Sequence, residues 1–172
     1  VITRLTKTNT DGVESILFEL FVTLIKFKKN LRCFENFILS IPENLRNRVI
    51  NSVSEKRTLV QKALISKNIN LVKLLIKYGA EIFVVPTDGN SIVHLAINDA
   101  ENLQQVLAII EEMIKRDKIV VPKEIGKVLC YAVYENKLLE LKILLNSCFV
   151  QFINTITMEI LPVHIACGEG NS

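Results

Sequence analysis

Four alanines recur along the chain at nearly equal intervals, and this spacing constrains the fold more than any single motif. Ala63, Ala96, Ala132 and Ala166 lie 33, 36 and 34 residues apart. Each sits in an apolar frame: TLVQKAL, SIVHLAI, KVLCYAV and LPVHIAC. A period of this length marks stacked supersecondary units, each of which buries its apolar face only against a neighbour. Both histidines of the chain, His94 and His164, occupy the same slot of the frame. A catalytic centre needs unlike groups converging on one point. Here the surroundings are copied with the histidine, which points to a structural unit.

The residues after each alanine extend the pattern. Ile69, Val72, Leu75 and Ile76 follow Ala63; Leu103, Val106, Ile109 and Ile110 follow Ala96; Leu138, Leu141, Leu144 and Leu145 follow Ala132. Spacings of three and four residues put each set on one helical stripe. Each unit therefore reads as a short helix holding the Ala, a polar break, and a longer amphipathic helix. Between units, AEIFVVPTDGN (80–90) carries Pro86 and the pair Asp88 and Gly89, residues that favour a turn.

LVKLLIKYGAEI followed by DGNSIVHLAI, together with LPVHIACGEGN, resembles the ankyrin repeat, a 33-residue helix pair with a hairpin-like connection. The resemblance covers about two-thirds of the chain by the repeat count. Cys130 stands in the place of the family's His, Ser91 and Ile92 replace its Thr-Pro, and Lys67, Ala100 and Asn136 occupy its loop-Gly position. The resemblance implies an all-α solenoid of stacked helix pairs with short hairpin-like connections, preceded by an N-terminal helical cap. Its repeats would span 58–90, 91–126, 127–160 and a partial unit at 161–172. It also implies structural roles for Ala63, Gly79, His94, Ala96, Ala132, Pro162, His164 and Ala166.

Residues 1–57 fit the repeat poorly and read as a helical cap or a degenerate repeat. Asp11 and Glu14 have the spacing of a capping box. Val13, Ile16, Leu17, Leu20, Leu24 and Phe27 then recur at helical intervals, which predicts their burial. A second helix is predicted over 31–41, burying Phe34, Phe37 and Ile38. A third is predicted from Pro42, with Leu45, Val49 and Val53 as its stripe. This third of the chain holds ten Lys or Arg against six acids, whereas the rest holds eleven against twelve. Lys26, Lys28, Lys29, Arg32, Arg46 and Arg48 form either a solvated face or a patch for an acidic partner. No aromatic interleaving or nucleic-acid motif accompanies them, which disfavours nucleic acid.

Few other functions find support. The sequence has no P-loop, GxGxxG, HExxH or defensible catalytic triad, and its four cysteines include no CxxC pair, so neither an enzyme, a metal nor a cofactor is expected. With 49% apolar residues, the thiols read as reduced and mostly buried, in a cytoplasmic setting. VESILFELFVTLIKF (13–27) is too short and too charged to span a bilayer. The sequence begins with Val and stops where a second helix of the last repeat is due, so a longer natural protein is expected. The incomplete last repeat offers a face for self-association.

The predicted function is therefore non-catalytic binding of another protein on the concave face of the repeats. The alternative is a targeting or regulatory segment of a larger enzyme, secreted effector or toxin whose activity lies elsewhere; an effector would work in a host cytosol. Mapped through the resemblance, the partner-binding candidates near the first hairpin are Phe83, Val85, Thr87, Asp88 and Asn90. Those on the first helices are Ile65, Ser66, Asn98, Asp99, Tyr134 and Glu135. Phe83 and Val85 stand where the family carries polar residues and form either a binding patch or an internal contact. Tyr134 is the strongest candidate, because aromatic anchors are enriched at binding hot spots.

Overall fold

The computed structural model describes residues 10–27, 30–86, 90–118, 120–122 and 127–152. The described residues form nine α-helices, a short antiparallel strand pair and a 3₁₀ turn. The chain divides into two compact units, residues 1–89 and 90–172.

The first unit opens with α1 (Thr10–Lys26), α2 (Leu31–Ser40) and α3 (Glu43–Asn51). Asn30 caps α2 by accepting the Cys33 N–H at 2.9 Å. Pro42 precedes α3, where a fixed φ suits a helix start. Ser52 ends that helix in extended conformation, its hydroxyl donating to the Val49 carbonyl at 2.8 Å. Val53 thus leaves the helix for β1 (Val53–Ser54), correcting its place in the predicted stripe. β1 pairs with β2 (Arg57–Thr58) through a turn in which Glu55 and Lys56 both take positive φ, 52° and 61°. Two successive left-handed residues are what a tight hairpin turn demands.

Thr58 then caps α4 (Leu59–Ile65) in a capping box with Gln61. The chain turns at Lys67 into α5 (Ile69–Lys77), capped by Asn68. The helices α4 and α5 pack together, α1 packs on α3 and α4, and α2 packs on α5. The N-terminal helix pair thus lies against the α4–α5 pair, one helix upon each. The core holds Phe34 and Ile38 from α2, Val49 and Ile50 from α3, and Leu59, Ala63, Leu71, Val72 and Leu75 from α4 and α5.

The burial of α1 corrects the sequence reading. Its core residues are Phe18, Phe21, Val22 and Ile25, and Phe21 meets Phe37 edge-on at 4.8 Å. The predicted stripe faces the other way: Ile16, Leu20 and Phe27 are 63%, 45% and 71% exposed, and Val13, Leu17 and Leu24 are half-buried. This helix is apolar on both sides, so periodicity alone finds two stripes and cannot rank them. The aromatic stripe wins the core because it buries the larger area.

The second unit repeats the helix pair. α6 (Ile92–Ala96) leads into α7 (Ala100–Asp117), and α8 (Lys127–Tyr134) into α9 (Leu138–Leu145). Helix α6 packs on α7, α8 on α9, α7 on α9, and α9 on a 3₁₀ turn at Cys148–Phe152. The predicted stripe of α7 is buried throughout, at Leu103, Val106, Ile109 and Ile110. That of α9 is not: only Leu144 is fully buried, and Leu138 is exposed. Ala100 is the first residue of α7 rather than a loop residue, because Asp99 already caps the helix. The predicted partial repeat at 161–172 lies outside the described residues.

Candidate functional site

The repeated frame around His94 is built from its cap outward. Ser91 precedes α6 with extended backbone, and its Oγ accepts the His94 N–H at 3.2 Å. The same Oγ lies 2.7 Å from His94 Nδ1. In one tautomer the hydroxyl donates to Nδ1 and Nε2 carries the hydrogen; in the other Nδ1–H donates to the second lone pair of the same oxygen. Burial, and then the charge of Lys127, holds the imidazole below its ordinary value of 6.5, which favours the neutral ring. A serine within reach of a histidine has the outline of a nucleophile and its base. Ser91 is only 2% exposed, however, and its oxygen is engaged in capping the start of the helix. This pair works as a cap. The Tyr131 ring lies 6.2 Å from the imidazole.

Gln61 fills the same slot in the first unit. The Thr58 hydroxyl accepts the Gln61 N–H at 3.3 Å, and the Gln61 side chain accepts the Thr58 N–H at 3.1 Å. Ala63, Ala96 and Ala132 are fully buried where the short helices meet their neighbours. The turn between paired helices is also made the same way twice. Lys67 and Asn136 take φ of 56° and 51°. Behind them, the Asn68 N–H donates to the Ala63 carbonyl at 3.1 Å and the Lys137 N–H to the Ala132 carbonyl at 2.9 Å. Gly79 (φ 93°) ends α5 with the Ala80 N–H on the Leu75 carbonyl, a glycine-dependent exit. The Asn51 amide spans that exit, donating to the Gly79 carbonyl at 3.0 Å and accepting from the Glu81 N–H at 2.8 Å.

The partner-binding candidates divide by environment. Ile65 and Tyr134 end α4 and α8 as exposed side chains, Tyr134 at 63%. Ser66, Asn90, Asn98 and Glu135 are exposed as well, although the Ser66 hydroxyl donates to the Ala63 carbonyl at 2.7 Å. Asp99 has a structural duty, its carboxylate accepting the Glu101 and Asn102 N–H groups at 3.1 and 3.2 Å. In the connection after α5, Ile82 and Pro86 are buried, Phe83 is half-buried and Val85 is exposed. Thr87, Asp88, Pro162, His164 and Ala166 lie outside the described residues.

Two exposed leucines, Leu138 and Leu139, escaped the sequence reading as surface residues. Adjacent leucines at a helix start point about 100° apart, so a stripe centred on Leu141 and Leu145 leaves Leu139 on its far side. That was the available signal. The basic candidates are partly committed within the fold. The Arg46 guanidinium donates to the Ile38 and Ile41 carbonyls at 3.1 Å each, tying down the end of α2. Arg48 pairs with Glu14 at 2.7 Å. Lys26 and Arg32 are exposed, and Lys28 and Lys29 lie outside the described residues.

Among the described residues, no group of His, Cys, Asp and Glu is arranged to hold a metal ion. No helix among them is long and apolar enough to cross a membrane. A shallow depression on α7 is lined by Ala108, Glu111, Glu112, Lys115 and Arg116, all from that one helix surface. Glu111 accepts the Cys148 N–H at 3.3 Å, and burial with this carboxylate pushes the Cys148 thiol up to about 11. Lys77 and Tyr78 both donate to Glu35, at 2.9 and 2.8 Å, holding its carboxyl below the ordinary range. No protein-family model matches the chain, and no curated protein or solved structure matches it.

Proposed function

We propose that this chain is a non-catalytic protein-binding module of ankyrin type, whose first helices and connections meet a partner protein. The turn shared by the α4–α5 and α8–α9 pairs carries this reading. Lys67 and Asn136 differ chemically yet adopt one left-handed conformation over one hydrogen-bond pattern. Conserving a turn while varying its residues keeps a scaffold and frees its surface. Just ahead of each turn an apolar side chain points outward, Ile65 in one unit and Tyr134 in the other. A scaffold that is already ordered loses little conformational entropy on docking. The capping duty of Ser91 and His94 also leaves that pair without a catalytic task.

The test is a pull-down from nuclease-treated eukaryotic lysate at low and high salt. Wild type runs beside a Tyr134→Ala, Val85→Asp double variant whose folding is checked by circular dichroism. A protein that stays bound at high salt and is lost with the variant supports the reading. Capture that vanishes with salt from both forms transfers the function to the basic residues of the first unit. Salt-resistant capture that the variant retains removes Tyr134 and Val85 from the binding surface.

A further inference from the structure

The outward stripe of α1 has the layout of a coiled-coil seam. With Val13, Leu20 and Phe27 at heptad position a, Ile16 and Thr23 fall at d, and Leu17 and Leu24 at e. Ile16, Leu20, Thr23 and Phe27 are exposed. The Thr23 hydroxyl donates to the Glu19 carbonyl at 2.8 Å, which satisfies it within the helix. The g positions hold opposite charges, Glu19 and Lys26, both exposed. Glu19 has a long contact from the Ser54 hydroxyl at 3.4 Å. Glu55, whose carboxylate feels the Lys26 charge, is already bound by Lys62 at 2.8 Å.

We propose that α1 is a self-association surface, on which two copies of this chain pair their α1 helices antiparallel, with Glu19 of each copy against Lys26 of the other. The charges select this occupant and this orientation. In an antiparallel pair, a residues face d residues and g faces g across the seam; in a parallel pair, g faces e. Parallel pairing would set Glu19 against Leu24 and leave both charges without partners. Antiparallel pairing in one register puts Ile16 against Phe27 of the second copy and Leu20 against its Thr23. Two-fold symmetry repeats both contacts, giving four layers over about 17 Å of helix. The same register brings Glu19 to Lys26 twice. One alignment therefore satisfies the apolar layers and the charges together.

Analytical ultracentrifugation of the full chain over about 1–300 µM tests the proposal, since so short a seam holds weakly. Wild type should dimerise with rising concentration. Glu19→Lys and Lys26→Glu, each alone, turn two attractive contacts into two repulsive ones and should raise the dimer dissociation constant about tenfold. An equimolar mixture of the two variants should form heterodimers at close to wild-type affinity, because every g pair is then opposite in sign. Both positions are exposed, and circular dichroism verifies each fold. If a charge reversal unfolds the chain, Glu19→Gln and Lys26→Gln carry the test with a smaller loss. Wild type monomeric throughout overturns the proposal and assigns the stripe to another occupant. A dimer indifferent to these charges, or a mixture that recovers nothing, overturns it equally.

Discussion

Replacing Ser91 with Ala should cost the second unit about 2 kcal/mol, roughly twice what Thr58→Ala costs the first. Two losses add at Ser91. The His94 N–H, held at 3.2 Å, loses its cap acceptor, worth about 1 kcal/mol. His94 Nδ1, held at 2.7 Å, loses its hydroxyl partner, and a half-buried unsatisfied nitrogen costs about 1 kcal/mol more. Helix α6 has only five residues, too few to persist without its cap. Thr58→Ala removes the 3.3 Å bond to the Gln61 N–H, while the return bond from the Thr58 N–H at 3.1 Å survives. Urea unfolding followed by far-UV circular dichroism measures both, with the transition fitted for two units where it separates. Ser91→Thr keeps the hydroxyl and should stay within about 0.5 kcal/mol of wild type. His94→Ala combined with Ser91→Ala should reveal a coupling of about 1 kcal/mol. A Ser91→Ala loss below about 0.3 kcal/mol, or strict additivity with His94→Ala, would refute the shared role of that hydroxyl.

The neutral state of His94 also sets a pH dependence. Its folded pKa lies below 6.5, so the unfolded chain takes up the proton first; the stability His94 contributes is present above pH 6.5 and is lost as pH falls through the folded value. Urea midpoints between pH 7.5 and 5 should fall for wild type and flatten in His94→Gln, and parallel curves would count against the buried neutral imidazole. Gly79→Ala should destabilise by about 1–2 kcal/mol, mainly through backbone strain. Its added methyl would meet Asn47 Oδ1 at 3.1 Å, but Asn47 is exposed and can swing aside, so adding Asn47→Ala should restore little stability in thermal melts. Cys148, titrating at about 11, holds about one thousandth of its thiol as thiolate at pH 8. Iodoacetamide labelling read by peptide mass spectrometry should therefore modify the exposed Cys33 well before the half-buried Cys148; equal rates would contradict that difference in setting.

How far the fold could be read from the sequence follows from which interactions are local. The all-α class and the helix pairs were legible because a cap, a three-to-four spacing and a turn are each encoded within a few residues. Thr58 with Gln61 and Ser91 with His94 form local caps of this kind, which the apolar spacing alone did not reveal. Ala100 was misplaced because a capping Asp99 shortens the turn before α7, and length alone does not reveal a cap. The stripe of α9 was over-read for another reason. Leu138 and Leu144 stand at opposite edges of the predicted stripe, about 120° apart, and which edge is buried depends on what lies opposite, a tertiary fact. For the partner-binding candidates, sequence identifies side chains while their exposure follows from packing: Val85 points out while Pro86, next to it, is buried.

The α1 helix shows the limit most sharply, and also how it can be passed. Its two apolar stripes have the same period, so hydrophobicity cannot tell core from surface. The residues flanking them can. On the core side, Phe21 meets Phe37 at 4.8 Å, and Lys62 lies over the Phe18 ring at 5.8 Å, so a charge there rests on an aromatic face. On the outward side, Glu19 and Lys26 stand one heptad apart at the edge of the stripe. Core packing does not require flanking charges of opposite sign, whereas a seam between two helices uses them to fix orientation and register. The pattern of charge beside an apolar stripe therefore carries information that the stripe itself lacks. In α1 that pattern selects an antiparallel copy of the same helix, because that arrangement places Glu19 and Lys26 together twice.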